Sequence, residues 1–298
     1  MVATLGLVVA CFLALTDEPS IPGVGKVGSV VKAHTGFQFT EGPAVDAVGN
    51  VYFTDVPRNQ IHRIDTSDQR VIFLENSNGC NGLMFDSKGR LLACQGGAGR
   101  IIAIDPASKK ITPVAESYEG NRFNRPNDIV VDRHGGVYFT DPNFGRGQSA
   151  QDKEGVYYIS PTGQVTRLLE GNRPNGILFS PDEKTLYVLH SSEKTLHAYP
   201  VEQPGKLGPG KHWNAVKQAG DGLTVDVRGN VYVTQPREKI IQVLSPEGKE
   251  LGQIKIPESP SNVCFGGKDF RTLYVTARSS VYTVKLEVEG YVVARTEK

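Results

Sequence analysis

Six oxygen-bearing side chains recur at one position of a repeating pattern in this 298-residue chain. Counting ten residues back from the apolar segments that begin at Val51, Leu91, Val137 and Val231 reaches Glu41, Asn81, Asn127 and Asp221. Where the intervening turn reads one residue longer, eleven residues back from Leu186 and Leu273 gives Asn175 and Asn262. Two carboxylates and four carboxamides brought to one level would be undersatisfied, and the acids would repel each other, unless a positive partner sat among them. Carboxylate and amide oxygens, completed by water, are what a hard divalent cation takes. Ca2+ is the first choice, with Mg2+, Mn2+ or Zn2+ as alternatives. The position holds no His or Cys, which argues against an ordinary zinc site. Turn formation would account for "NG" at 81 and 175 and "DG" at 221. It does not account for Glu41, nor for the shared register.

The elements that must position these groups repeat as well. An apolar strand, a turn with Gly and a second strand rich in β-branched or aromatic residues appear as "AVDAVGNVYFTD" (44–55), "LMFDSKGRLLAC" (83–94) and "IVVDRHGGVYFTD" (129–141). They return as "ILFSPDEKTLYVLH" (177–190), "LTVDVRGNVYVT" (223–234) and "VCFGGKDFRTLYVT" (263–276). A third strand follows each, such as "IHRID" (61–65) or "VYTVK" (281–285), and often a fourth. Four short antiparallel strands every 40–50 residues or so mark a β-propeller blade. The expectation is an all-β, six-bladed β-propeller over residues 21–298, a single domain with a metal site in its central channel. The first strand of each blade lines that channel, which turns the repeat position into a ring. The early segment "GSVVKA" (28–33) is expected to supply the outer strand of the last blade.

A net charge of +1 with no long run of one sign gives nucleic acid nothing to bind. The opening "MVATLGLVVACFLALTDEPSIPG" is apolar from Val2 to about Thr16, too short to span a bilayer. It reads as a signal peptide, residues 1–20, although no Lys or Arg precedes the apolar run. The expected location is the periplasm or the exterior, as a monomer or small homo-oligomer. Cys80, Cys94 and Cys264 match no zinc spacing. They read as buried thiols, with a Cys80–Cys94 disulfide as the alternative.

With these motifs assembled, the chain resembles the gluconolactonase, senescence marker protein (regucalcin) and luciferin-regenerating enzyme family. The resemblance runs from "TEGPAVD" through "NRPNDIVVD", "RPNGILFSPDEKTLYV" and "DGLTVDVRGNVYV" to "CFGGKDFRTLYVT". It implies hydrolysis of a small sugar lactone, such as glucono-1,5-lactone to its aldonic acid, with a cation on Glu41, Asn175 and Asp221. Asn127 would complete that set or touch substrate. Arg125 would grip sugar hydroxyls, and Asp221 would act as general base toward a water whose attack the metal assists. Two other readings are an organophosphate hydrolase at the same site and a non-catalytic propeller stapled by calcium.

Three flanking features carry expectations of their own. Asp128, next to a channel residue, is expected to point away from the channel and brace strands. Asp55, Asp141, His190 and Gln235 close the second strands and are expected at the metal end. His190, where the family tends to have Asp, is assigned to substrate binding. The connection "DPNFGRGQSAQDKEG" (141–155) is expected to be a lid or specificity loop.

Overall fold

The second strands are apolar on both faces, and that dictates the architecture. Val51–Asp55, Leu91–Gln95, Val137–Asp141 and Val231–Gln235 are buried throughout. A strand covered on both sides must lie between two other sheets. The computed structural model, which describes residues 19–144, 147–215 and 220–295, meets this demand with six antiparallel sheets arranged as a β-propeller. The leader expected at residues 1–20 falls almost wholly outside the described residues. Among those described, no helix is long and apolar enough to cross a membrane.

Blade 1 runs outward as Thr40–Val45, Val51–Asp55, Gln60–Ile64 and Arg70–Glu75. Blade 2 is Cys80–Phe85, Leu91–Gln95, Arg100–Ile104 and Ile111–Ala115. Blade 3 is Ile129–Val131, Val137–Asp141, Gly155–Ile159 and Val165–Glu170. Blade 4 is Pro174–Phe179, Thr185–His190 and Thr195–Gln203, the last paired to both Lys206–Leu207 and Lys211–Ala215. Blade 5 is Leu223–Val225, Val231–Gln235, Ile240–Leu244 and Glu250–Lys255. Blade 6 takes Pro260–Gly266, Thr272–Ala277 and Ser280–Leu286 from the end of the chain and Gly25–Thr35 with Ser20–Ile21 from its start. Val30 pairs with Val284 and Lys32 with Tyr282, so the N-terminal strand closes the ring as its sequence suggested.

Alternate side chains of each strand enter the wedges on its two sides, and each of the six wedges holds its own apolar cluster. Tyr52 meets Phe85 edge-on between blades 1 and 2, and Tyr138 meets Phe179 between blades 3 and 4. Cys80 sits in the wedge toward blade 1 and Cys94 in the wedge toward blade 3, on opposite faces of their blade, so both stay free thiols. The recurring Asp of the turn signature is a brace. Asp46 accepts the amides of Val48 and Asn50, and Asp226 those of Arg228 and Asn230. Gly49 in the first of these turns has φ +99°, and a Cβ there would lie 2.3 Å from the carbonyl of Gly267 in blade 6.

One element was not foreseen from the sequence. Tyr291 donates its amide to the Val225 carbonyl, and residues 291–294 lie across the channel end remote from Glu41. The channel is blind. Ile21, Val24 and Val27 fill the last wedge from the N-terminal side, so deleting residues 1–35 should remove stability comparable with the whole folding free energy, 5–15 kcal/mol or so. The expected outcome is loss of the cooperative thermal transition by near-UV circular dichroism. A truncated chain that still melts cooperatively within a few degrees of the parent would overturn this account of ring closure.

Candidate active site at the channel mouth

Each first strand begins with two residues set against one on the second strand, a β-bulge. Asn127 donates its amide to the Thr140 carbonyl while Thr140 donates to that of Asp128; Asp221 and Gly222 do the same with Thr234. The register shifts at the same place in blades 1, 2, 4 and 6. The six bulge pairs are Glu41-Gly42, Asn81-Gly82, Asn127-Asp128, Asn175-Gly176, Asp221-Gly222 and Ser261-Asn262. Hydrogen bonds link neighbouring blades through these pairs. Gly82 donates to the Asn127 carbonyl at 2.7 Å, Gly176 to that of Asp221 at 3.0 Å and Gly222 to that of Ser261 at 2.8 Å.

Two expectations change here. The ring position in blade 6 belongs to Ser261, and Asn262 is the second member of its pair. The sequence count assumed a turn one residue longer than in blade 1. Phe265 in fact pairs with Leu273 where Val45 pairs with Val51, so the turn is two residues longer. Asp128 does not point away from the channel. A bulge breaks strict alternation, so Asp128 lines the channel with Asn262, which stands in the opposite blade and donates through Nδ2 to Asp128 Oδ2 at 3.5 Å. The other four blades have glycine at this level. A Cβ on Gly222 would fall 2.0 Å from Asn262 Oδ1, and one on Gly82 would fall 2.7 Å from the Asp128 Cα. The four glycines leave the space in which Asp128 and Asn262 meet. Below them is an apolar cavity of about 90 Å³ that includes Leu83, Ile177 and Val263 and ends at Val293.

Above this crossbar lie the acids and amides expected from the sequence. Glu41 is 5 % exposed, and its Oε2 accepts the amide of Gly42. Asn175 donates through Nδ2 to Asp221 Oδ1 at 2.8 Å. Burial, and then the nearby Asp221 carboxylate, hold the Glu41 carboxyl well above its ordinary range. Burial also raises Asp221 to about 7; Asn175 opposes that rise and the charge of Asp128 adds to it. Asp128 itself is raised to about 6, again by burial. Three acids within electrostatic reach of one another, Glu41 and Asp128 buried and Asp221 half-buried, give a centre that a cation would stabilise. Among the described residues no group of three or more His, Cys, Asp and Glu side chains is set out as a metal cluster. The donor set that fits a hard ion is two carboxylates, Glu41 and Asp221, with the carboxamides of Asn127 and Asn175.

The second-strand ends act on backbone. Asp55 accepts the amides of Gln38 and Phe39, and Asp141 those of Asn124 and Arg125, which ties down the loops leading into blades 1 and 3. Gln235 bonds Gln242. His190 is 2 % exposed, with Nε2 2.8 Å from the Tyr199 hydroxyl and its ring against His197. Tyr199 thus occupies Nε2 of the residue expected to bind substrate, while Nδ1 has no partner among the described residues. Leu186, Val188 and His190 alternate onto the face packed against blade 3, and the imidazole follows them inward. Arg125 is exposed at the mouth beside a polar pocket of about 170 Å³. Asp221 opens on a second pocket, of about 210 Å³, whose wall includes Phe39, Arg237 and Arg278. In the long connection, Gln151 is buried and donates through Nε2 to the carbonyls of Tyr118, Asn121 and Arg122, so that half is fastened to the mouth wall; Gly145 and Arg146 fall outside the described residues.

The family model for the SMP-30/gluconolactonase/LRE-like region matches residues 39–279, which spans every bulge pair. The chain belongs to that family. It is 32% identical over 288 residues to a gluconolactonase of Zymomonas mobilis, covering 85% of this chain and 80% of the relative. A 6-deoxy-6-sulfogluconolactonase of Pseudomonas putida is 28% identical over 244 residues, 76% of this chain and 78% of that one. The solved structure of a gluconolactonase from Xanthomonas campestris superposes with a TM-score of 0.84 at 26% identity, covering 91% of this chain and 95% of that one. The bulge register sets Glu41, Asn175 and Asp221 at one end of the propeller, inside the range the family model matches.

Two measurements test this geometry. Gly222→Ala should destabilise the protein by roughly 1–3 kcal/mol through overpacking. Adding Asn262→Gly should restore part of the loss in urea unfolding, and a double variant no better than the single one would show that the two sites do not share space. His190 is held neutral by burial, and secondarily by His197, which lower its pKa from the ordinary 6.5 to about 4. Its unfolded form takes a proton near 6.5, so its contribution is complete above that pH and is lost as pH falls toward 4. Between pH 7 and 5 the loss is about 2 kcal/mol. His190→Gln should show a correspondingly shallower fall in stability over that interval.

Proposed function

We infer that this chain hydrolyses a sugar lactone, of the glucono-1,5-lactone type, at the acidic end of its blind channel. The observation that carries the reading is the Asn175–Asp221 hydrogen bond beside the buried Glu41, in a chain of this family. The gluconolactonase relatives support the lactone as substrate class. Glu41, Asn127, Asn175 and Asp221 would hold a divalent cation, with Ca2+ favoured by the all-oxygen donor set. When bound, that cation polarises a carbonyl and stabilises the oxyanion formed as water adds.

The chain's own groups do the rest. Asn175 fixes the orientation of the Asp221 carboxylate by donating to Oδ1, which leaves Oδ2 to accept the proton of the attacking water. Water oxygen bonds to the carbonyl carbon, the bond from that carbon to the ring oxygen breaks, and the ring oxygen leaves as a hydroxyl after taking a proton. The product is the open hydroxy acid. Arg125, its backbone held by Asp141, and Asn127 orient the ring hydroxyls at the mouth. Asp128 and Asn262 form the floor, so substrate enters and product leaves by the same opening.

Acid release from glucono-1,5-lactone at neutral pH, corrected for spontaneous opening, tests the reading. Turnover should disappear with chelator and return with Ca2+. Asp221→Ala should lower kcat by roughly 10²–10⁴-fold. Retained turnover after exhaustive chelation would remove the cation from the account. No turnover of any lactone by a cation-loaded, folded enzyme would remove the lactonase reading itself.

A further inference from the structure

The polar pocket beside Arg125 has a chemistry that a neutral sugar does not explain. Its wall includes Arg122, Asn124, Arg125 and Ser149, with the backbone of Gly96 and Gly97. Among the described residues the guanidinium of Arg125 makes no hydrogen bond or ion pair. That of Arg122 makes one long contact, 3.5 Å to the carbonyl of Phe123. Two guanidinium groups facing one cavity repel, and proteins ordinarily relieve this with a carboxylate. The acids at hand are engaged elsewhere. Both oxygens of Asp141 accept backbone amides, those of Asn124 and Arg125. Glu154 is taken by the amide of Asn143 and by Arg173. Asp141 attracts Arg122 only across a distance, without forming a pair.

The pocket itself is fixed. The Asn124 side chain accepts the Gln151 amide and donates to the Lys153 carbonyl, and three carbonyls of residues 118–122 hold Gln151. The Asn124–Gln151 side of the wall is held in place, and among the described residues neither guanidinium has a carboxylate partner. Such a site suits an anion, since guanidinium groups bind phosphate, sulfonate and carboxylate through paired, charge-assisted hydrogen bonds. Only Pro126 separates Arg125 from Asn127, so the pocket adjoins the site where the lactone carbonyl would be held.

We propose that Arg122 and Arg125 form a subsite for an anionic group carried by the lactone on the carbon remote from its carbonyl, and that Arg122 determines this specificity. The inference rests on the lactone-hydrolase reading and adds the class of lactone. The carboxylate created by hydrolysis forms at the cation end, by Glu41 and Asp221, and is not the group the pocket receives.

The test compares glucono-1,5-lactone with 6-phosphoglucono-1,5-lactone on the Ca2+-loaded full chain, for wild type, Arg122→Ala and Arg122→Lys. Wild type should favour the phosphorylated lactone in kcat/KM. Arg122→Ala should cost about 10- to 100-fold on that substrate, the scale of a charge-assisted hydrogen bond. It should leave the neutral lactone within about twofold, and Arg122→Lys should recover part of the loss. Equal loss on both lactones, or no preference in wild type that turns over the neutral one, would overturn the subsite and leave the lactonase reading standing. Calorimetric titration with 6-phosphogluconate and with gluconate separates the two ideas further. If neither lactone is turned over, the hydrolase reading fails, and Arg122-dependent binding of 6-phosphogluconate alone decides the pocket. Arg122-dependent binding of gluconate itself would assign the pocket to the product carboxylate and overturn the proposal.

Discussion

The site depends on backbone hydrogen bonds that join neighbouring blades at the start of the first strands. At three junctions the amide of the second bulge residue in one blade donates to the carbonyl of the first bulge residue in the next: Gly82 to Asn127, Gly176 to Asp221 and Gly222 to Ser261. Hydroxyls strengthen the same seam. Thr54 donates to the Asn81 carbonyl, Thr234 to that of Ser261, and Ser261 to that of Thr40. These bonds satisfy backbone groups that would otherwise be stranded inside a narrow channel. They also hold the first bulge residues of separate blades at one level. Asn127 and Asp221 are carried to this level by bonds between blade backbones, and Asn175 then meets Asp221 side chain to side chain.

Glycine follows from that constraint. With neighbouring backbones this close there is no space for a Cβ beside the carbonyl of the next blade. A Cβ at Gly42 would lie 2.1 Å from the Asn81 oxygen. Two blades on opposite sides break the rule with Asp128 and Asn262, and these two side chains close the channel together. The polar mouth is thereby divided from the apolar cavity that the C-terminal segment seals. A buried acid at the floor raises the cost of ionising Glu41 and Asp221 above it, which is the electrostatic setting in which a divalent cation is strongly held.

The mouth has the opposite sign. Arg122 and Arg125 stand on one side, and Arg237 and Arg278 by the opening over Asp221. A cationic rim around an acidic centre favours a ligand with two ends, one an electrophilic carbonyl for the cation and one bearing acceptors for guanidinium. Fold alone would not have said this, since propellers serve many functions. It comes from side chains on loops, Arg122 and Arg125 between blades 2 and 3, and Arg237 and Arg278 between the second and third strands of blades 5 and 6, the part of the fold whose shape is least constrained by the repeat.

The repeat made the architecture legible from sequence. A period of two along strands, an Asp-braced turn and six copies leave one way to bury both faces of every second strand, and the outer strand expected at residues 28–33 is part of Gly25–Thr35. Glu41, Asn175 and Asp221 were legible for the same reason, because one register position carries one environment. The exceptions lie where the register breaks. A turn two residues longer exchanged Asn262 for Ser261, and the bulge put Asp128 into the channel when strict alternation would turn it away. Both were present as a signal, in the six dipeptides EG, NG, ND, NG, DG and SN, whose second letter is glycine except where a side chain spans the channel. The inward turn of His190, the C-terminal seal and the pairing of Arg122 with Arg125 had no such signal. They are contacts between segments far apart in the chain or outside the repeat, and only the packing of the closed ring decides them.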